Sequence, residues 1–260
     1  MIKKFLCSFF TILFFSCGAA FAGLSVDPSI TNVYNIPDSY SESYYLVKNT
    51  YDSDIHIEIK LSVGNVFSDN KGIDVNKVLL FKKKRYFIPA GETVKIPYKI
   101  YIGKDFKGSL AFKVGFQVEK NEGDMFSILM TMPVYIKVYG TEKIDFDIKS
   151  VELFTSNDSI CYKLKIENKG NIHIRHSGSA DIFYKNKKNL VKTVDIPETV
   201  PTYCESEREF KEILVSKSSL RSGKYIAVFK ISDLEKEVEK EIKFKINKNG
   251  NLLVEQDKQK

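Results

Sequence analysis

The 260-residue chain has no tryptophan, only three histidines and four cysteines, and each shortage closes off a class of chemistry. His56, His173 and His176 are too few and too scattered to frame a metal centre. On a strand, a spacing of three sends His173 and His176 to opposite faces. Both therefore read as surface imidazoles, and His56 as a residue on the polar face of its strand. There is no H-E-x-x-H, no G-x-S-x-G, no P-loop and no G-x-G-x-x-G. The acids are numerous, but no pair is set apart as an acid and base team. The expectation is a protein that is not an enzyme and carries no cofactor or metal. A hydrolase assembled from distant loops is the third alternative behind the two developed below.

Long hydrophobic runs are scarce too. Lys3 and Lys4 precede a largely apolar stretch from Phe5 to Phe15, and Ala20-Phe21-Ala22 follows as an A-x-A site with the cut before Gly23. Cys17 as an acylated residue is the competing reading, and Phe14-Phe15-Ser16 before it is a poor match to a lipoprotein signal. No later stretch approaches the ~20 apolar residues of a spanning helix. Residues 1–22 thus read as a signal peptide, and the mature chain as periplasmic or extracellular, without a transmembrane segment.

Removing the leader takes two lysines and no acid, so the formal charge falls from +7 to +5 over the remaining 238 residues. Lys82 to Arg85 is the one basic cluster and reads as a solvated face; no nucleic-acid partner is expected. The leader also carries Cys7 and Cys17. Cys161 and Cys204 remain, and an even pair in an oxidising compartment suggests a disulfide across adjacent strands, stabilising by ~4 kcal/mol through loop closure. Two buried thiols are the alternative.

What the chain does have is alternation. From Ile128 to Tyr139 every even position, Ile128, Met130, Met132, Val134, Ile136 and Val138, is apolar, which describes a strand with one face meant for burial. Pro133 removes one ladder donor, so the strand is expected at a sheet edge. Such a strand either fills its own core or is held ready for another polypeptide.

Similar short strands run through the rest of the chain. Leu24–Asp27, Ser43–Lys48, Ile55–Leu61, Val78–Phe81, Val94–Tyr101 and Ser109–Glu119 precede the central stretch, with a Pro89-Ala90-Gly91 turn and an Asn121 to Asp124 hairpin loop between them. After a polar hinge at 140–145 the cycle restarts. Strands are expected at Ile148–Phe154, Ile160–Glu167, Ile172–Arg175, Gly178–Lys185, Leu190–Ile196, Glu207–Val215, Gly223–Ser232 and Glu237–Ile246, with a tight turn at Asn168-Lys169-Gly170-Asn171. The fold class is all-β, two tandem immunoglobulin-like β-sandwiches over 23–140 and 141–246, with a polar, fraying tail at 247–260.

Three features of the first sandwich carry a resemblance: the opening Leu24-Ser25-Val26-Asp27-Pro28, the turn Phe87-Ile88-Pro89-Ala90-Gly91-Glu92, and the closing Ile136-Lys137-Val138-Tyr139. Together they resemble the periplasmic pilus and fimbrial assembly chaperones of the PapD-like superfamily. The resemblance implies that the last strand of the first domain lends alternating side chains to an incomplete pilin-like subunit, here Ile128, Met130 and Met132. It also implies that Lys137 anchors the subunit's terminal carboxylate, and that an outer-membrane usher is a further partner. The second sandwich, with its Asn168 to Asn171 turn, is similar to adhesion-type repeats. A structural or adhesive cell-surface module of tandem immunoglobulin-like domains is therefore the alternative.

Overall fold

The computed structural model describes residues 23–66, 70–119, 127–198, 200–233 and 235–255. The expected signal peptide at 1–22 and the expected 121–124 loop lie outside them. Within the described residues the chain is almost entirely β, arranged as two sandwiches with separate cores.

The first sandwich stacks two sheets. One has the order β1 (Leu24–Asp27), β3 (Ser39–Asn49), β7 (Thr93–Ile102), β5 (Leu79–Phe81). The other has the order β2 (Thr31–Asn35), β9 (Leu129–Val138), β8 (Ser109–Val118), β4 (Ile55–Val66), β6 (Arg85–Ile88). Alternation decides which face is inward: Ile55, Ile57 and Ile59 are buried while His56 and Glu58 are not. The inward residues of both sheets form one core that includes Tyr45, Ile57, Ile96, Phe112, Phe116, Val134 and Ile136. A short helix, α1 (Val75–Val78), is capped by Asp74 and buries Val75 and Val78. The Pro89-Ala90-Gly91 turn forms as expected, with the Glu92 N–H donating to the Pro89 carbonyl at 3.2 Å.

The second sandwich pairs a three-stranded sheet with a five-stranded one. The first runs β10 (Phe146–Ser156), β11 (Ser159–Asn168), β14 (Ser206–Ser216). The second runs β13 (Leu190–Ile196), β12 (Ser177–Tyr184), β15 (Gly223–Asp233), β16 (Lys236–Ile246), β17 (Leu252–Val254). Its core holds Phe146, Tyr162, Leu164, Ile182, Phe229 and Phe244.

Four expectations need correction. The tail does not fray at once: Leu252–Val254 pairs with Phe244–Ile246 as β17, because Asn247 closes the turn by accepting from the N–H groups of Asn249 and Asn251. Ile172–Arg175 is not a strand; it contributes a single bridge between Ile174 and Thr202. His173 and His176 are buried, not at the surface.

The fourth correction is the disulfide. Cys161 and Cys204 do not form one, and both are buried thiols. Cys161 lies opposite Ile213, while Cys204 precedes Ser206, which lies opposite Asn168. Seven residues of strand separate those two levels, about 23 Å at the usual rise, whereas a bridge needs Cα atoms within about 7 Å.

A candidate strand-addition edge and the cleft beside it

Strand β9 is neither wholly interior nor wholly an edge. On one side β8 pairs with it antiparallel along its length, from Gln117 opposite Leu129 to Ser109 opposite Lys137. On the other side β2 runs parallel to it, but only from Thr31 opposite Val134 to Asn35 opposite Val138. Among the described residues, no strand pairs with Leu129–Pro133 on that side.

Three hydrogen bonds fix which backbone groups face which way. Val118 N–H donates to Ile128 O and Val138 N–H to Gly108 O, so even residues point toward β8; Tyr139 N–H donates to Asn35 O, so odd residues point toward β2. The N–H and C=O groups of Leu129 and Thr131 therefore lie along the open edge. Pro133, also odd, presents only a carbonyl there. Its missing N–H costs no bond to β8, which is how a proline is accommodated in this strand.

The core-facing side chains show a gradient. Ile128 is 41 % exposed, Met130 is half-buried against the first core, Met132 is 6 % exposed, and Val134, Ile136 and Val138 are fully enclosed. The apolar stripe thus emerges from the sandwich where the cover by β2 ends. On the other face Leu129 is 50 % exposed.

Lys137 takes a different place from the three apolar residues. It is on the outer face of β9, only 8 % exposed, beneath the second sandwich. Neighbouring segments are locked across the junction. Ser109 N–H donates to Asn171 O at 2.8 Å, His173 N–H to Ser109 Oγ at 2.9 Å, and Asn171 Nδ2 to Thr141 O at 2.8 Å. Gly108 makes this approach possible. Its φ is +66°, and a Cβ there would stand 2.1 Å from the Asn171 carbonyl oxygen. The expected tight turn at 168–171 packs on the linker, with Asn171 N–H donating to Lys143 O at 3.1 Å.

The cleft so formed is aromatic and cationic. The Tyr135 ring lies 4.9 Å from His173 and 6.5 Å from Tyr203. The Arg175 guanidinium sits 5.2 Å from the Tyr135 centroid, Arg208 lies 5.8 Å from that of Tyr203, and Lys137 Nζ is 5.9 Å from that of Tyr34. Burial holds the Lys137 ammonium below its ordinary pKa; the Asp233 carboxylate opposes that shift and Arg175 adds to it. Burial, with Lys137 and Arg175 nearby, drives the His173 imidazole down to about 3, so it is neutral, and its Nδ1 has no hydrogen-bond partner. Burial pushes the Cys204 thiol up to about 11, with Glu205 adding to the shift.

Of the residues singled out in the sequence, Ile128, Met130 and Met132 share one face of β9, and Lys137 lies on the other, in the cleft. Arg175, Tyr135, Tyr203 and Asp233 carry no sequence signal of their own, since they come together only when the two sandwiches pack. Among the described residues no group of three or more His, Cys, Asp or Glu side chains is placed to hold a metal ion.

No family model matches the chain, and no curated protein matches it. Solved structures do. A chain of a chaperone and tip-adhesin complex of CFA/I fimbriae biogenesis is 15 % identical, with a TM-score of 0.47 over 85 % of this chain and 98 % of that one. The class 5 fimbriae chaperone CfaA is 15 % identical, with a TM-score of 0.45 over 84 % and 98 %. A chain of the CsuC-CsuE chaperone and tip adhesion subunit pre-assembly complex from the archaic chaperone-usher Csu pili of Acinetobacter baumannii is 11 % identical, with a TM-score of 0.44 over 84 % and 98 %. At identities and TM-scores this low, the likeness by itself assigns no function.

Proposed function

We propose that this chain is a secreted, periplasmic chaperone-like protein that holds an exported, pilin-like subunit by β-strand addition along Leu129–Pro133. The reading rests on one observation: the apolar stripe of β9 loses its cover where β2 stops, leaving backbone donors and acceptors beside partly exposed Ile128 and Met130. An incoming strand satisfies the open N–H and C=O groups, and its side chains extend the apolar stripe. Lys137 supplies a desolvated ammonium near the end of that template. An outer-membrane usher is a further partner on this reading.

A second reading, a structural or adhesive tandem module, is favoured by Met132, which already fills the first core. Hydrogen exchange separates the two. With a guest bound, the Leu129 and Thr131 amides become protected on the strand-addition reading; protein retained from periplasm by the wild type is lost by Met130→Asp and weakened by Lys137→Ala. Retention unchanged by both substitutions, with those two amides still exchanging freely, leaves the surface module.

A further inference from the structure

Positive charge gathers at the end of the second sandwich remote from the junction. Four turns close that end, at 157–158, 185–189, 217–222 and 247–251. They carry Lys185, Lys187, Lys188, Lys217, Arg221 and Lys248 against a single acid, Asp158. Just inside them Lys224 on β15 lies directly opposite Lys245 on β16, and Lys185 N–H donates to Lys224 O at 2.9 Å. Like charges face to face on a sheet destabilise it. Elsewhere on this sandwich the strand lysines have acids to hand: Lys163 has Glu152 and Glu209, Lys165 has Glu207, and Lys230 has Asp181. At the tip, among the described residues, only Lys187 does, with Glu241 at 2.9 Å. Arg221 lies over the Tyr184 ring at 4.2 Å instead, and Lys217 Nζ donates to Asn157 O at 2.7 Å.

The layout of the cations selects the kind of anion. They are spread over separate turns instead of converging on one point, and all but Arg221 are lysines, hydrated point charges without a fork to read one carboxylate or base. A broad anionic surface suits such a set. Exposed apolar side chains border it: Leu190 is 56 % exposed and Leu253 51 %, the latter directly opposite Lys245. A shallow recess of about 600 Å³ between the 217–222 and 247–251 turns is lined by Ser222, Asn247 and Asn249 beside Lys245 and Lys248, which offers polar groups to a phosphodiester. Lysines interleaved with exposed leucines fit the interface of an anionic bilayer, where phosphates meet the cations and the leucines reach the acyl boundary. An acidic polypeptide would satisfy the charges and leave the leucines without a role. β10 runs from Phe146 beside the junction to Ser156 at this tip, roughly 33 Å, so a bilayer there leaves the open edge of β9 clear.

We propose that the basic tip of the second sandwich docks the protein on an anionic phospholipid bilayer, independently of what β9 holds. The test is co-sedimentation of the chain from Gly23 onward with phosphatidylcholine vesicles containing one third phosphatidylglycerol. The wild type binds these vesicles, binds pure phosphatidylcholine far less, and is released by salt. Each cation removed from the tip lowers the partition about fivefold. Lys224→Gln with Lys245→Gln therefore lowers it about thirtyfold, and Lys185→Gln with Lys188→Gln carries the test if the first pair does not fold. Lys82→Gln with Lys83→Gln removes the same charge from the first sandwich and leaves the partition nearly unchanged. Leu253→Ser weakens vesicle binding severalfold while binding to poly-glutamate stays as it was. Equal loss from the tip pair and the Lys82 and Lys83 pair overturns the proposal, because net charge alone would then act. Vesicle binding indifferent to Leu253→Ser, with poly-glutamate bound more tightly than the vesicles, overturns the bilayer and assigns the tip to an acidic polypeptide. Failure of the wild type to bind the anionic vesicles overturns it outright.

Discussion

Replacing Lys137 by methionine should make the free protein more stable. The lysine is 8 % exposed, burial is the largest influence on its ammonium, and Asp233 offsets that only in part while Arg175 works against it. Methionine has a similar reach and no charge to desolvate. Exchanging a buried ion for an apolar side chain often gains about 1 to 4 kcal/mol, and the proximity of Asp233 puts this case at the lower end, about 1 kcal/mol. For a chain of this size that is a rise in Tm of about 2 to 4 °C. The pH dependence gives a sharper check. A lysine whose folded pKa lies below its unfolded 10.5 binds fewer protons folded than unfolded, so it penalises the folded state at neutral pH. That penalty fades as pH rises from the depressed value toward 10.5. Urea denaturation of both proteins should show the Lys137→Met advantage at pH 7 shrinking as lysine's ordinary pKa is approached. A variant about 1 kcal/mol less stable than the wild type at pH 7 would refute the reasoning, because Asp233 would then be stabilising the ammonium outright. An advantage that does not change with pH would refute it equally.

Acid should loosen the second sandwich early. Folding lowers His173 to about 3 and His176 to about 4, so stability is full above the unfolded histidine pKa of about 6.5 and falls as pH drops toward those values, on the order of several kcal/mol in all; His173→Phe should flatten that fall in a urea midpoint measured against pH. Gly108→Ala forces a side chain into positive φ and against Asn171 O. It should cost about 2 to 4 kcal/mol in denaturant unfolding, from the left-handed backbone and the lost Ser109 to Asn171 hydrogen bond, and a cost below about 1 kcal/mol would mean that the junction yields easily. Thiol labelling of the protein from Gly23 onward, unfolded but never reduced, should modify both Cys161 and Cys204, and the folded protein should resist because both are buried and the Cys204 thiol is raised to about 11.

Period-two alternation made most strands legible, and with them the two cores, because one face of each sheet is dry. The strand that matters most to the candidate site was not legible. Thr31–Asn35 is not among the expected strands, and it buries little beyond Thr31; it is held by the Thr31 Oγ1 and Tyr45 Oη hydrogen bond across the core at 3.1 Å and by the ladder that β9 offers. Without β2, the sequence could place β9 only as an edge strand, when it is an edge for half its length. Lys137 was singled out by a resemblance, and its burial depends on contacts more than thirty residues away. His173 and His176 were misplaced for the same reason: a strand parity rule was applied to a segment that packs as an irregular loop. The cysteines went wrong through register, since nothing local reveals that Cys161 and Cys204 sit at opposite ends of β11.

The first described residues bear on how much of β9 is left open. β1 belongs to one sheet, on β3, and β2 to the other, on β9, so the short run of chain from Leu24 to Asn35 fastens both layers. Gly23 is tied in as well, its carbonyl accepting from Thr50 N–H at 2.8 Å. Trimming or peeling this ribbon would bare the remaining half of β9, roughly doubling the length of unsatisfied backbone, and would withdraw Tyr34 from Lys137. On the strand-addition proposal, the integrity of residues 24–35 therefore sets how much of β9 stays shuttered and how long a segment it could take up.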